Sequence, residues 1–137
     1  MSSAWLLVAA GGAVGASLRY AISLSMGGSM TIAGDIGSRY PWATLLANAL
    51  GCFAIGLVWG LWANAQWFEA WGRSFLLVGL LGGFTTFSTF SLEFLRMVES
   101  ERLVAAFSYL ALSILSCLLL VWLGRLLAKL GNPSLGI

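Results

Sequence analysis

The sequence predicts an all-α membrane protein of four transmembrane helices, and three observations lead to that prediction. Hydrophobic residues make up 60% of the 137 residues and charged residues only 9%, against about 25% charged residues in an ordinary soluble domain. Four mainly apolar stretches follow one another along the chain, each long enough to cross a bilayer. Tryptophans stand near the ends of these stretches, where interfacial aromatic belts form: Trp5, Trp42, Trp62, Trp67, Trp71 and Trp122.

The four predicted helices cover residues 4–26, 42–65, 73–95 and 103–126 of one domain, residues 1–137. The first is expected to be retained and not removed as a signal peptide, because it has no basic cluster at its start and no convincing cleavage site. A polar, glycine-rich loop, GGSMTIAGDIGSRYP, leads to the second helix, where Pro41 suits the first turn. The charged segment RMVESER separates the third helix from the fourth, which Arg125 and Lys129 close.

Basic residues are almost evenly divided between the two sides of the predicted bundle. The side of the termini carries Arg73, Arg125 and Lys129, and the other side carries Arg39, Arg96 and Arg102, with Arg19 near its surface. Because Lys/Arg asymmetry sets orientation, this near balance predicts insertion in both directions; the alternative is one dominant loop and a single orientation. Four helices are too few to enclose a gated pathway, so two opposed copies would form an inverted-repeat arrangement, an antiparallel dual-topology homodimer.

The composition argues against several other classes of function. Histidine, the commonest general base and metal ligand, is absent. An intramembrane enzyme would depend on Glu93 or Asp35 as its base, and no nucleophile lies in a recognisable motif, so no enzymatic activity is expected. Cys52 and Cys117 lie inside apolar runs without paired spacing, which favours small buried residues over a disulfide or metal site. The net charge of +2 is scattered and does not indicate nucleic-acid binding.

Glycines at helical spacing predict close helix packing. They are Gly11, Gly12 and Gly15 in the first helix, Gly56 and Gly60 in the second, and Gly79 and Gly83 in the third. Small residues at such spacing let helices approach closely in lipid.

The segment GGFTTFSTFS, residues 82–91, predicts a break near the middle of the third helix. Its two adjacent glycines cost a helix about 2 kcal/mol relative to alanine. Non-helical backbone at membrane depth is tolerated only where it is buried in protein or lines a wet cavity. Unwinding at Gly82–Gly83 would free carbonyls for a cation; the alternative is an intact helix whose glycines allow close packing.

The rings and hydroxyls of the same segment indicate an anion pathway. Phe87, Phe90 and Phe94 form one helical stripe, a pattern that is usually core. Hydroxyls flank the rings at Thr85, Thr86, Ser88, Thr89 and Ser91; each can bond to its own helix, but five exceed what packing requires. Ring edges are electropositive, and together with hydroxyl hydrogens they would attract a small anion without a fixed charge that slows its exit.

Other helices offer matching polar groups. Asn48 has an amide with two donor hydrogens, and Tyr109, Ser113, Ser116 and Cys117 form a stripe on the fourth helix, although helix–helix hydrogen bonding explains such residues equally well. Arg19 is within snorkelling reach of the interface or draws anions toward a vestibule. Glu93 is a functional candidate as an intramembrane acid: it would pair with a basic group, carry protons or face a wet vestibule.

These motifs resemble those of the Fluc family of fluoride channels, also known as the CrcB family. GGFTTFSTFS is similar to the family's third-helix signature, and FSLEF continues it into the acidic residue. GGAVGASLRY resembles the pattern GGxxGAxLRY/W, PWATLLANALGCFAIG resembles PxGTLxxNxxGxFxxG, and Tyr109 with Ser113 matches the fourth helix. Two departures are Ala43, where the family usually has glycine, and a longer first loop.

The resemblance implies a passive fluoride channel of the bacterial inner membrane that confers fluoride resistance. It implies an antiparallel homodimer with two pores and a structural sodium ion at the dimer axis, held by the backbone carbonyls of Gly82 and Thr85. The residues it implies for the pore are Phe87, Phe90, Asn48, Ser88, Thr89, Tyr109, Ser113 and Glu93. It also implies that Arg19 lies near a vestibule.

Two other interpretations compete with a channel. A small dual-topology antiporter, coupling protons to a multidrug or anion substrate, would need an acid in its first helix, where this sequence has Arg19. A membrane scaffold subunit would have no need of a broken polar span.

Overall fold

The computed structural model describes residues 2–26 and 40–131, which are helical over most of their length. The helices are α1 (Ser2–Ser25), α2 (Trp42–Trp62), α3 (Phe68–Leu81), α4 (Gly82–Phe84), α5 (Phe87–Glu99) and α6 (Leu103–Gly131). α3 has the wider winding of a π-helix. The predicted loop of residues 27–39, which includes Asp35 and Arg39, lies outside the described residues.

Within the described residues, four segments are long and apolar enough to cross a membrane, as predicted: Ala4–Ser25, Trp42–Trp62, Phe68–Glu99 and Leu103–Gly131. Some predicted ends were wrong. The third span begins at Phe68 and not near Arg73, because charged side chains at the end of a span can reach interfacial water without ending the helix. The second span ends at Trp62, where a turn begins and the Ala65 amide donates to the Trp62 carbonyl at 2.9 Å.

The helices pack as two close pairs. α1 lies along α3 and α4, and α2 lies along α6, with α5 packed against α6. Buried Phe90, Met97, Ala106 and Tyr109 form the core between α5 and α6. Large apolar side chains on the outside, such as Leu115 and Trp122, are more than half exposed, which suits contact with lipid or with another helix and not with water.

Glycines lie at the closest approaches of both pairs, which confirms the predicted close packing. A Cβ on Gly15 would collide with the Leu80 carbonyl and lie 2.8 Å from the Phe84 amide nitrogen. A Cβ on Gly56 would collide with the Val121 carbonyl, and one on Gly124 with the Phe53 carbonyl. Gly124 was not among the glycines identified from the sequence. The atoms that an added Cβ would meet belong to the backbone, which cannot move aside as a flexible side chain could.

Gly15→Ala is expected to destabilise the α1–α3 pair, by about 1–3 kcal/mol as for other overpacked cores. Gly12→Ala is the matched control, because the nearest atom to a Cβ there is 4.0 Å away, and alanine adds about 1 kcal/mol of helix propensity. Unfolding in detergent with increasing denaturant would measure both variants. Equal stability of the two would contradict the packing described here.

Candidate functional site

The third span is broken at Thr85–Thr86, three residues after the predicted position. Gly82 remains helical, with φ −64° and ψ −37°, so the prediction of unwinding at Gly82–Gly83 was wrong in position. Thr85 and Thr86 are extended, with ψ of 156° and 117°. β-branched residues prefer this conformation. Gly83 serves instead to bring the backbone close to α1, because a Cβ there would lie 2.7 Å from the Gly12 carbonyl.

Asn48 of α2 takes over the backbone hydrogen bonds at the break. The Thr86 amide donates to Asn48 Oδ1 at 2.8 Å, and Asn48 Nδ2 donates to the Thr86 carbonyl at 3.1 Å. A side-chain amide matches a peptide group in donor and acceptor, so one residue satisfies both backbone groups. Thr86 also caps α5, because its Oγ1 accepts from the Thr89 amide at 3.2 Å.

These contacts deprive two carbonyls of their helical partners. In a continuous helix the Gly82 carbonyl would accept from the Thr86 amide, which here donates to Asn48. The Thr85 carbonyl would accept from the Thr89 amide, which here donates to the Thr86 hydroxyl. The break therefore leaves the Gly82 and Thr85 carbonyls without a helical amide partner; these are the carbonyls that the family resemblance implies for a cation.

Arg19 reaches the other side of the same break. Its Nε donates to the Gly83 carbonyl at 3.2 Å, across 64 residues of sequence. The guanidinium therefore lies at the end of a helical segment, where a positive charge is favourable. Half-buried in the described fold, Arg19 connects α1 to α4.

Glu93 is buried, only 2% exposed, between two hydroxyl donors. Thr44 Oγ1 donates to Glu93 Oε1 at 2.8 Å, and the Tyr109 hydroxyl donates to Glu93 Oε2 at 2.7 Å. Each carboxyl oxygen therefore has its own hydroxyl partner, so this buried polar group is satisfied within the fold. Thr44 was not identified as a site residue, although it lies one turn before Asn48 on the same helix face.

A cavity of about 420 Å³ opens between α2, the broken span and α6. Its lining includes Asn48, Thr86, Phe87, Phe90 and Ser113, and the lining side chains among the described residues are all uncharged. The ring of Phe87 is 77% exposed and lies 5.4 Å from that of Phe90. Phe90 is buried and packs on Tyr109 at 5.1 Å between ring centroids.

Ser113 contributes a buried hydroxyl to this cavity. The residue is 6% exposed, and its Oγ has no hydrogen-bond partner among the described residues. A buried hydroxyl without a partner costs about 1–3 kcal/mol, and this one belongs to a residue of the cavity lining and lies near Tyr109. Such a donor is suited to an incoming anion or to water.

The structure brings together some of the predicted residues but not all. Asn48, Phe87, Phe90 and Ser113 line the cavity, together with Gly82 and Thr85. Glu93 and Tyr109 lie on the α5–α6 side with Phe90 packed on Tyr109. Thr89 and Ser88 are near Thr86, with oxygen–oxygen distances of 3.0 and 3.3 Å, and do not line the cavity. Ser91 and Ser116 bond to carbonyls of their own helices.

Comparisons with known proteins give a consistent result. Residues 6–125 match the family model described as "CrcB-like protein, Camphor Resistance (CrcB)". A protein of Rhodospirillum centenum is 44% identical over 80% of this chain and 82% of its own length. Proteins of Azotobacter vinelandii and Thermus thermophilus are each 42% identical, over 91% and 96% of this chain and 96% of their own lengths. All three are named "Fluoride-specific ion channel FluC".

Proposed function

The chain belongs to the CrcB family, and from that premise we propose that this multi-pass membrane protein is a channel that passes fluoride down its electrochemical gradient. Family membership confirms the resemblance drawn from the motifs. The observation that carries the proposal is the cavity at the break, which joins two phenylalanine rings to the Asn48 amide and the unpartnered Ser113 hydroxyl. These are neutral groups that present positive hydrogen atoms.

Neutral donors suit a small, strongly hydrated anion. Ring edges, an amide and a hydroxyl would replace part of the hydration shell of fluoride as it enters the cavity. Binding must also be weak enough for the ion to leave, and an uncharged lining meets that requirement better than an arginine or lysine would. Glu93 is held by two hydroxyls behind Phe90, and we propose that it positions Tyr109 beside the pathway.

We further propose an antiparallel homodimer with two pores in the bacterial inner membrane. The balanced basic residues support dual insertion, and the thin arrangement of two helix pairs supports a second copy that completes each pore. Cysteines introduced near the termini would test this in cells. Labelling from both sides is expected, whereas labelling from one side alone would contradict dual topology.

We propose that the Gly82 and Thr85 carbonyls hold the structural sodium ion. Both have lost their helical amide partners to Asn48 and Thr86, and backbone carbonyls are suitable ligands for a hard cation. The ion would supply positive charge that holds the carbonyl ends together at the dimer axis. Replacing sodium with a larger organic cation is expected to weaken assembly, measured by size-exclusion chromatography, whereas an unchanged dimer would contradict this role.

Passive export would confer fluoride resistance on the cell. The relatives are named as ion channels, so the chain is not an enzyme, as expected.

The competing antiporter would couple transport to protons, and a flux assay in liposomes distinguishes a channel from an antiporter. A channel is expected to release fluoride without ATP or a pH gradient, whereas uphill fluoride or drug movement driven by a proton gradient would favour the antiporter.

Phe87→Ile and Phe90→Ile are each expected to slow fluoride flux. Edge interactions of aromatic rings are worth about 0.5–1.5 kcal/mol, so the loss of one ring corresponds to about a two- to tenfold decrease in rate. Phe94→Ile is the matched control, because Phe94 lies on the same helix but packs on Phe107 at 5.8 Å. Efflux from liposomes, followed with a fluoride electrode, would measure all three. Unchanged flux in both Phe87 and Phe90 variants would remove the rings from the mechanism.

A further inference from the structure

Two thiols that lie 65 residues apart in sequence meet beside the cavity. The side chains of Cys52 on α2 and Cys117 on α6 are near neighbours, close enough to interact with each other. Both are free and half-buried, and both line the cavity. Their distance in sequence concealed this pairing from motif analysis, which searches for cysteines at short spacing.

The pair is held by the closest packing in the α2–α6 interface. One turn beyond Cys52 a Cβ on Gly56 would collide with the Val121 carbonyl, and a Cβ on Gly124 would lie 2.9 Å from the Leu57 amide nitrogen. Backbones that approach this closely fix the two thiols relative to each other. Cys52 follows Asn48 by one turn, and Cys117 follows Ser113 by one turn, so the pair borders the polar end of the cavity.

We propose that Cys52 and Cys117 form a site for a thiophilic metal ion of linear, two-coordinate preference, such as Hg²⁺ or Ag⁺, and that the bound metal blocks the pathway. Structural zinc sites take four ligands, and the described residues contain no group of three or more His, Cys, Asp or Glu side chains. Two sulfurs are sufficient for a linear ion, and soft ligands select soft metals.

Binding of Hg²⁺ balances without oxidation or reduction. Two S–H bonds break, two S–Hg bonds form, and two protons leave for water. The product is a neutral bis-thiolate beside Asn48 and Ser113, which fills part of a cavity of about 420 Å³. This inference has a binding half, that the two cysteines hold one metal ion, and a blocking half, that the bound ion obstructs the pathway. Only the blocking half rests on the proposed function.

A titration of purified protein with Hg²⁺ in chloride-free buffer tests the binding half. The near-ultraviolet absorption of the mercury–thiolate bond is expected to saturate at one Hg²⁺ per chain, with two protons released per Hg²⁺. The matched variants Cys52→Ser and Cys117→Ser are each expected to release one proton per Hg²⁺, and the double variant none. Saturation at two Hg²⁺ per chain, or one proton per Hg²⁺ in the unaltered protein, would overturn the shared site.

Flux from fluoride-loaded liposomes tests the blocking half. One Hg²⁺ per chain is expected to slow efflux by about tenfold or more, and an excess of a dithiol to restore it. The rate of fluoride efflux through the double variant is measured before and after addition of Hg²⁺, and no change in that rate is expected. If one Hg²⁺ binds to both cysteines and efflux is not slowed, the proposed block of the pathway is wrong. If the protein binds Hg²⁺ in this way but conducts no fluoride even without the metal, the proposed function is wrong and the metal site is not affected.

Discussion

Asn48→Ala is expected to lower fluoride flux by about 30-fold or more, since the part-buried amide and carbonyl of Thr86 lose the partner that holds the break open, at about 1–3 kcal/mol each. Both groups are bonded to Asn48 in the structure. Without them the extended conformation at Thr85–Thr86 loses its external support, and the Thr86 amide regains its helical partner, the Gly82 carbonyl. The variant should therefore shift the break toward continuous helix.

Two measurements distinguish this effect from general damage. Fluoride efflux from liposomes reports the pathway, and hydrogen–deuterium exchange of the peptide that contains residues 82–91 reports the break itself. Asn64→Ala is the matched control, because Asn64 is an exposed amide in the turn after α2. Flux and exchange in Asn48→Ala that equal those of Asn64→Ala would contradict the role of the amide at the break.

Glu93→Leu is expected to destabilise the protein by about 2–6 kcal/mol, because two buried hydroxyls lose their acceptor. Thr44 and Tyr109 both donate to this carboxylate, and Tyr109 packs on Phe90. The substitution should therefore disturb the cavity wall as well as the α5–α6 core. Denaturant unfolding in detergent would measure the stability, and liposome efflux the pathway.

A compensating variant separates structure from conduction. Replacing all members of a hydrogen-bonded group with apolar residues of similar shape is far less costly than removing one. Thr44→Val with Glu93→Leu and Tyr109→Phe is therefore expected to be more stable than Glu93→Leu alone, yet to remain slow in fluoride efflux. Full flux in this triple variant would show that the three polar groups serve folding alone.

Much of the fold could be predicted because hydropathy and small-residue spacing report directly on membrane spans and close helix contacts. The four spans follow from this, as do the contacts of Gly15 and Gly56. The ends of the spans did not follow, since charged residues such as Glu69 and Arg73 remain helical at the interface. Hydropathy measures the depth of a residue and not the point where backbone hydrogen bonding ends.

The break and its contacts could be predicted only in part. The glycine pair indicated an interrupted helix, but the interruption lies at Thr85–Thr86, where Asn48 of another helix supplies the hydrogen bonds. That contact joins residues 38 apart, and no local pattern contains it. The Thr44–Glu93 contact and the proximity of Cys52 to Cys117 were missed for the same reason, because the partners are distant in sequence.

The most direct measurement is fluoride efflux from liposomes that contain the purified protein, compared with liposomes prepared without it. If neutral ring, amide and hydroxyl groups at the break replace the hydration of the ion, fluoride leaves the protein-containing vesicles rapidly once the membrane potential is released by a potassium ionophore. Efflux no faster than that from protein-free vesicles, with the protein folded and incorporated, would contradict the account.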